Sequence, residues 1–189
     1  MQTEVLTEKS VEELIAELYQ TEEKAEIING EVVKFMSTGG EPGFAGDGIF
    51  ASLREYARRT KLGRAIGDNK AFLVDLPNRK SFSPDAAFYV GENPGMKFYT
   101  GAPVFAVEVR SENDYGKNAE RRMGNKRKDY FAAGTLVVWD VDLLSQEVIK
   151  SYSAKNPNER RIFLRGEIAD AEPAVPNWTI AVDDLFDSI

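Results

Sequence analysis

The sequence predicts an α/β (α+β) fold, a mixed β-sheet flanked by helices, and three observations carry that expectation. Between residues 104 and 141 an apolar strand, a helix-length stretch and a second apolar run follow one another. Nearer the N-terminus, an Asn-Gly pair marks the turn of a hairpin, and a capping box opens an apolar stripe at helical spacing. Such a pattern places helices against a sheet holding both parallel and antiparallel pairs. The 189 residues are expected to form one domain spanning 1–189, a length that can bury one solid core.

Each element has its own signal. Ser10 with Glu13 three residues later caps a first helix, whose stripe is Val11, Leu14, Ile15 and Leu18. From Glu26 to Met36 the chain reads as a hairpin, with Asn29-Gly30 supplying the positive φ angles of a type I′ turn. Gly39 to Gly48 reads as a glycine-rich loop entering a second helix. That helix carries Ile49, Phe50, Leu53, Tyr56 and Ala57, and Gly63 is its expected stop. Asp85–Val90 and Val104–Arg110 are expected strands, and Lys117–Ala133 a helix closed by Gly134. The run Thr135–Val141 is apolar enough for a buried strand. A strand, a helix and a buried strand in succession make a right-handed crossover, so the two strands should be parallel. Glu147–Ser153 and Arg161–Leu164 read as edge strands, and Asp183-Asp184-Leu-Phe as a helical turn.

Composition narrows the chemistry. Cysteine and histidine are both absent, which removes disulfides, thiolate sites, His-ligated zinc and every Ser-His triad. Catalysis would have to use carboxylates, Lys, Tyr, Ser or a hard metal held by oxygen, for which Mg²⁺ or Mn²⁺ is suited. Met1 to Ser10 is polar and acidic with no apolar core, and nowhere do about 20 apolar residues run together. A cytoplasmic protein with no membrane span is therefore expected. The net charge of −7 works against a nucleic-acid partner, though basic residues concentrated on one face would offset it. Arg58, Arg59, Lys61 and Arg64 form one basic run, and Arg121, Arg122, Lys126, Arg127 and Lys128 another. Both read first as solvated helix faces.

The strand from Val104 to Arg110 is the most informative segment. Alternation puts Phe105, Val107 and Val109 on one face, and Ala106, Glu108 and Arg110 on the other. A carboxylate in so apolar a strand needs a cation or donors, and Arg110 is one candidate partner. Asp85 follows Pro84 at the mouth of another apolar strand. It offers a second carboxylate, or else only an Asx-type turn. On the following helix, Ala119, Met123, Tyr130 and Ala133 mark the packing face. A step of about 100° per residue puts Lys126 in the middle of that face. Lys126 then either aims its ammonium at the strand carrying Glu108 or snorkels from the stripe's edge to solvent. Two carboxylates and an inward lysine suit a metal-assisted attack on phosphate. Tyr130 reads as a core residue. Ser111, Glu112 and Asp114 either assist the site or form the loop and helix cap.

At these residues the chain resembles the Uma-type restriction endonucleases, within the PD-(D/E)xK nuclease superfamily. The resemblance is carried, in order, by Glu26-Ile-Ile-Asn-Gly-Glu31, Ser37-Thr-Gly-Gly-Glu-Pro-Gly43 and Ser83-Pro-Asp-Ala-Ala-Phe88. It continues through Val107-Glu-Val-Arg-Ser-Glu-Asn-Asp114, Lys126-Arg-Lys-Asp-Tyr-Phe-Ala-Ala-Gly134 and Val138-Trp-Asp-Val141, over nearly the whole chain. It implies a restriction-endonuclease-like fold with Asp85 and Glu108 as acidic ligands of Mg²⁺ or Mn²⁺. The superfamily's usual lysine stands two residues after the Glu, where this chain has Arg110; the resemblance assigns that role to Lys126 instead. It also assigns Glu26 as the N-terminal carboxylate that completes the site. Many relatives carry a histidine in the first loop, and here Glu41 to Gly43 stand there.

The expected function is metal-dependent endonucleolytic hydrolysis of DNA phosphodiester bonds, with DNA as partner. Because cutting both strands of a duplex usually takes two sites, a homodimer is also expected. The alternative is a catalytically silent module of the nuclease fold that binds or regulates. A third reading, hydrolysis of small phosphoesters, needs a closed pocket at the same residues.

Overall fold

The structure, a computed structural model, describes residues 8–186, so the acidic opening stretch is described only from Glu8 onward. In chain order the elements are α1 (Val11–Gln20), β1 (Ala25–Ile28), β2 (Glu31–Lys34), α2 (Gly40–Thr60), β3 (Arg64–Gly67), β4 (Phe72–Leu73), β5 (Ser81–Phe82) and β6 (Ala86–Tyr89). There follow β7 (Tyr99–Thr100), β8 (Phe105–Val109), α3 (Lys117–Ala132), β9 (Val137–Val141), β10 (Ile149–Ser153), β11 (Asn156–Phe163), β12 (Ile168–Asp170), β13 (Thr179–Ala181) and a 3₁₀ turn (Val182–Leu185).

The central sheet has six strands in the order β11-β10-β9-β8-β6-β3. Only β8 and β9, joined through α3, run parallel; the other neighbours are antiparallel, so the sheet is mixed as expected. Its two faces divide the core. Phe105, Val107 and Val109 pack with Ala86, Phe88 and Trp139 against Ala45, Ile49, Leu53 and Tyr56 of α2. On the opposite face Ala87, Ala106 and Val138 pack with Phe72, Phe82 and Tyr130 of α3. The β1–β2 hairpin and α1 form a third cluster through Leu14, Leu18, Ala25 and Ile27. Asn29 and Gly30 have φ of 51° and 78°, the signature of the primed turn that closes the hairpin. At α1, the Glu13 N–H donates to Ser10 Oγ and the Ser10 N–H donates to Glu13 Oε2, a complete capping box.

Three expectations are corrected. Gly39–Gly48 is not a loop: α2 begins at Gly40, with Pro42 in the first turn, where its missing N–H costs no helical bond. A Cβ at Gly46 would lie 3.6 Å from Asp85 Cβ, ordinary van der Waals contact, so this part of α2 packs beside the Asp85 segment. Gly63 is not the helix stop, since Lys61 in the left-handed conformation (φ 60°) ends α2. Gly63 serves close packing instead, because a Cβ there would come within 2.6 Å of Phe88 Cε1 and 2.7 Å of the Tyr89 carbonyl oxygen. Strand β10 is interior, paired with β9 on one side and β11 on the other, so only β11 and β3 are sheet edges. Among the described residues no helix is long and apolar enough to cross a membrane.

Candidate active site

Strand register assembles the site. Gly67 pairs with Ala86, Ala86 with Val107, and Glu108 with Asp140. One step beyond those first two pairs, Asp68 falls opposite Asp85 and Asp85 opposite Glu108. Asp68, Asp85, Glu108 and Asp140 therefore form a row of carboxylates on adjacent chain segments. Directly opposed residues share a sheet face, here the α3 face that Ala87 and Ala106 line. Four acids in a row repel unless cations lie over them.

Three cations do. Lys24 Nζ lies 2.6 Å from Asp68 Oδ1 and 2.5 Å from Asp85 Oδ1. Lys126 Nζ lies 2.8 Å from Glu108 Oε2 and 2.8 Å from Glu26 Oε1. Arg110 binds Asp140 through two parallel bonds of 2.8 and 2.7 Å, and also pairs with Glu120. The reading of Arg110 as the partner of Glu108 therefore fails. Strand pairing brings Asp140 alongside from 30 residues away, and its carboxylate matches the guanidinium fork. Lys126 does not snorkel to bulk water, since its side chain is only 17% exposed.

Each acid is fixed by further donors. Asp85 Oδ2 accepts from the Val109 N–H at 2.7 Å, so Asp85 is bound to the neighbouring strand and is more than a turn residue. Glu108 Oε1 accepts from Tyr130 Oη at 2.6 Å. That phenol also stacks on Phe82 at 4.0 Å, so Tyr130 both packs the core and orients the carboxylate. Glu26 is fully buried and holds Lys126, Arg79 and the Ser83 N–H. It thus reaches the site through Lys126. Asp114 accepts from the Ser111 N–H at 2.9 Å and closes the loop after β8.

The electrostatics follow from burial and pairing. Burial raises the Glu108 carboxyl, Lys126 opposes this, and Asp85 and Glu26 add to it; the net position is above the usual range. Burial acts the same way on Glu26, but Lys126 and Arg79 outweigh it and hold that carboxyl below its ordinary value. Lys126 is raised, since Glu108 and Glu26 overcome the cost of burying its charge. Burial and the two glutamates push the Tyr130 phenol far up, so it stays a donor.

Lys24, Asp68 and Arg79 carry no role in the sequence reading. Lys24 had a legible signal: it stands two residues before Glu26, with Ala25 between them, so strand alternation points both to one face. Asp68 and Arg79 lie in segments without periodicity. The basic runs are solvated as expected at Arg58, Arg59, Lys61, Arg64, Arg121, Arg122 and Lys128.

Would a divalent cation fit? Among the described residues no three acids converge as a metal cage. Mg²⁺ rarely uses one: it keeps several waters and binds one or two carboxylates plus substrate phosphate. Asp85 and Glu108, side by side with side chains 12% and 21% exposed, offer hard oxygens, of which Lys24 and the Val109 N–H hold those of Asp85 and Lys126 and Tyr130 those of Glu108. The donor set fits a hydrated Mg²⁺ or Mn²⁺. Two hollows of about 460 and 600 Å³ lie elsewhere, along Phe50, Arg54 and Arg58 of α2, and no site residue lines either.

Over residues 11–183 the chain matches the Uma2 family model, described as "Putative restriction endonuclease". Among solved structures it is similar to a putative nuclease of the DUF820 group from Anabaena variabilis, with a TM-score of 0.69 and 16% identity. That match covers 92% of this chain and 97% of the other, and at such identity it shows the fold alone. The expected nuclease-type mixed sheet is therefore borne out. No curated protein matches.

Proposed function

The chain belongs to the Uma2 family of putative restriction endonucleases, and on that premise we propose that it hydrolyses DNA phosphodiester bonds with Mg²⁺ or Mn²⁺. The observation that carries this reading is the Lys126 ammonium, 2.8 Å from Glu108 and beside the Asp85–Glu108 pair. An ion pair needs one acid; here two further acids and a second lysine gather at the same place on the sheet.

Asp85 and Glu108 would hold the cation, which supplies an acidified water and neutralises phosphate charge. Lys126 orients the attacking water or stabilises the developing oxyanion. Glu26, held by Arg79, acts as a positioning residue that fixes Lys126 from behind. Tyr130 sets the rotation of Glu108. Acid-base work by histidine is ruled out in this chain, which leaves Lys126, Lys24 and the Tyr130 hydroxyl as the proton-bearing groups at the pair. Duplex cleavage takes two such sites, so the reading includes a homodimer acting in the cytoplasm.

A nuclease assay tests this on single-stranded, duplex and branched DNA, with Mg²⁺, Mn²⁺ or chelator, comparing wild type and Asp85→Ala. Metal-dependent cleavage by wild type alone is expected. The second reading, a catalytically silent module, is favoured by one observation: a lysine already neutralises Asp85. It requires no cleavage of any of the three substrates.

A further inference from the structure

Both oxygens of Asp85 are engaged. The Val109 N–H fixes Oδ2 from the next strand, which leaves Oδ1 as the oxygen that could face a cation. That oxygen carries Lys24 at 2.5 Å. A divalent ion on the same oxygen would stand within about 4 Å of the ammonium, where like charges repel strongly at any effective dielectric found in proteins. Something has to move.

The two lysines of the site differ in what their movement would cost. Lys126 spans Glu108 and the fully buried Glu26, so withdrawing it would leave a buried carboxylate short of a cation. Lys24 spans Asp85 and Asp68, and the Asp68 side chain is 40% exposed. Its ammonium can therefore leave Asp85 while keeping Asp68 and gaining water, and a lysine stem is flexible enough for that shift. Resting on the metal-dependent reading above, we propose that Lys24 is a displaceable counter-ion of Asp85. Its ammonium holds Oδ1 in the metal-free protein and retreats to Asp68 when a divalent cation binds. Lys24 thereby sets the cation affinity of the site.

Calorimetric titration with Mn²⁺ in the absence of DNA tests this on wild type, Lys24→Gln, Asp68→Asn and the double variant. Lys24→Gln should bind Mn²⁺ about tenfold tighter or more, since the competing charge is gone. Asp68→Asn should bind about threefold weaker, because the ammonium loses its alternative acid, and the loss should vanish in the Lys24→Gln background. Unchanged or weaker binding by Lys24→Gln overturns the proposal. So does an Asp68→Asn loss that persists in the double variant, which would make Asp68 a ligand. If Lys24→Gln does not fold, the side-chain ¹⁵N signal of Lys24 in wild type gives the answer. Mg²⁺ should shift it and leave Lys126 in place, and Mg²⁺ binding with Lys24 unmoved overturns the idea. Equal Mn²⁺ binding by all four proteins removes this proposal alone. Absence of binding in all four removes the metal-dependent reading with it.

Discussion

The ammonium of Lys126 stands 2.8 Å from Glu108 Oε2, joining the middle of α3 to β8. The same nitrogen is 2.8 Å from Glu26 Oε1. Lys126→Met keeps the stem and removes the charge. It should lower the stability of the metal-free protein by about 3 kcal/mol, the low end for breaking a buried pair, because Glu26 retains Arg79. Cleavage should fall by about 10²–10³-fold. Melting curves and single-turnover rates check both, and undiminished cleavage by a folded variant removes Lys126 from the mechanism.

Glu26 gives a pH prediction. Burial raises its carboxyl, yet Lys126 and Arg79 hold it below the ordinary 4.5. With a depressed folded-state value, the unfolded chain binds the proton first as pH falls. The stability contributed is present above about 4.5 and is lost as pH drops through the lower folded-state value. Glu26→Gln should be less stable at pH 7 and show a shallower loss below pH 4.5. Equal acid limbs in urea melts of the two proteins would contradict this.

Arg110 stands where the resemblance to PD-(D/E)xK nucleases would lead one to expect a lysine, and Arg110→Lys separates sequence position from role. Its guanidinium makes paired bonds to Asp140 and also holds Glu120, geometry a lysine cannot reproduce. The variant should lose about 1.5–3 kcal/mol of stability. Its folded fraction should cleave at close to the wild-type rate. Faster cleavage would show that the old lysine position still reaches the chemistry.

Gly63→Ala probes the fold itself. The added methyl would meet Phe88 Cε1 at 2.6 Å and the Tyr89 carbonyl at 2.7 Å, and the carbonyl belongs to backbone that cannot swing aside. A loss of about 1–3 kcal/mol is expected from such overpacking. An unchanged melting temperature would show that β3 and β6 can separate at no cost.

What the sequence revealed followed physical range. Glu108 was legible because alternation along β8 is local. Lys126 was legible because its phase on α3 is fixed by Ala119 and Tyr130 a few residues away. The partner of Arg110 was not, since Asp140 arrives through parallel pairing across α3. Glycines hid the first turns of α2, which are helical from Gly40 onward and pack beside Asp85 at Gly46. Strands of two to four residues, such as β3, β4 and β7, are too short to show a period. Asp68 stayed silent with them. Glu26 was placed by family resemblance, and its full burial behind Lys126 only emerges once the hairpin docks on the sheet.

On the proposed mechanism the Asp85–Glu108 pair works through a divalent cation on DNA. Glu108→Gln tests it most directly, because it keeps size and an oxygen for the Tyr130 hydroxyl while removing the charge. The measurement is cleavage of duplex DNA in Mg²⁺, in Mn²⁺ and in chelator, with the melting temperature of each protein recorded alongside. Wild type should cut with either metal and not in chelator, and a folded Glu108→Gln should not cut at all. Cleavage in chelator, or wild-type rates from the variant, would contradict the account.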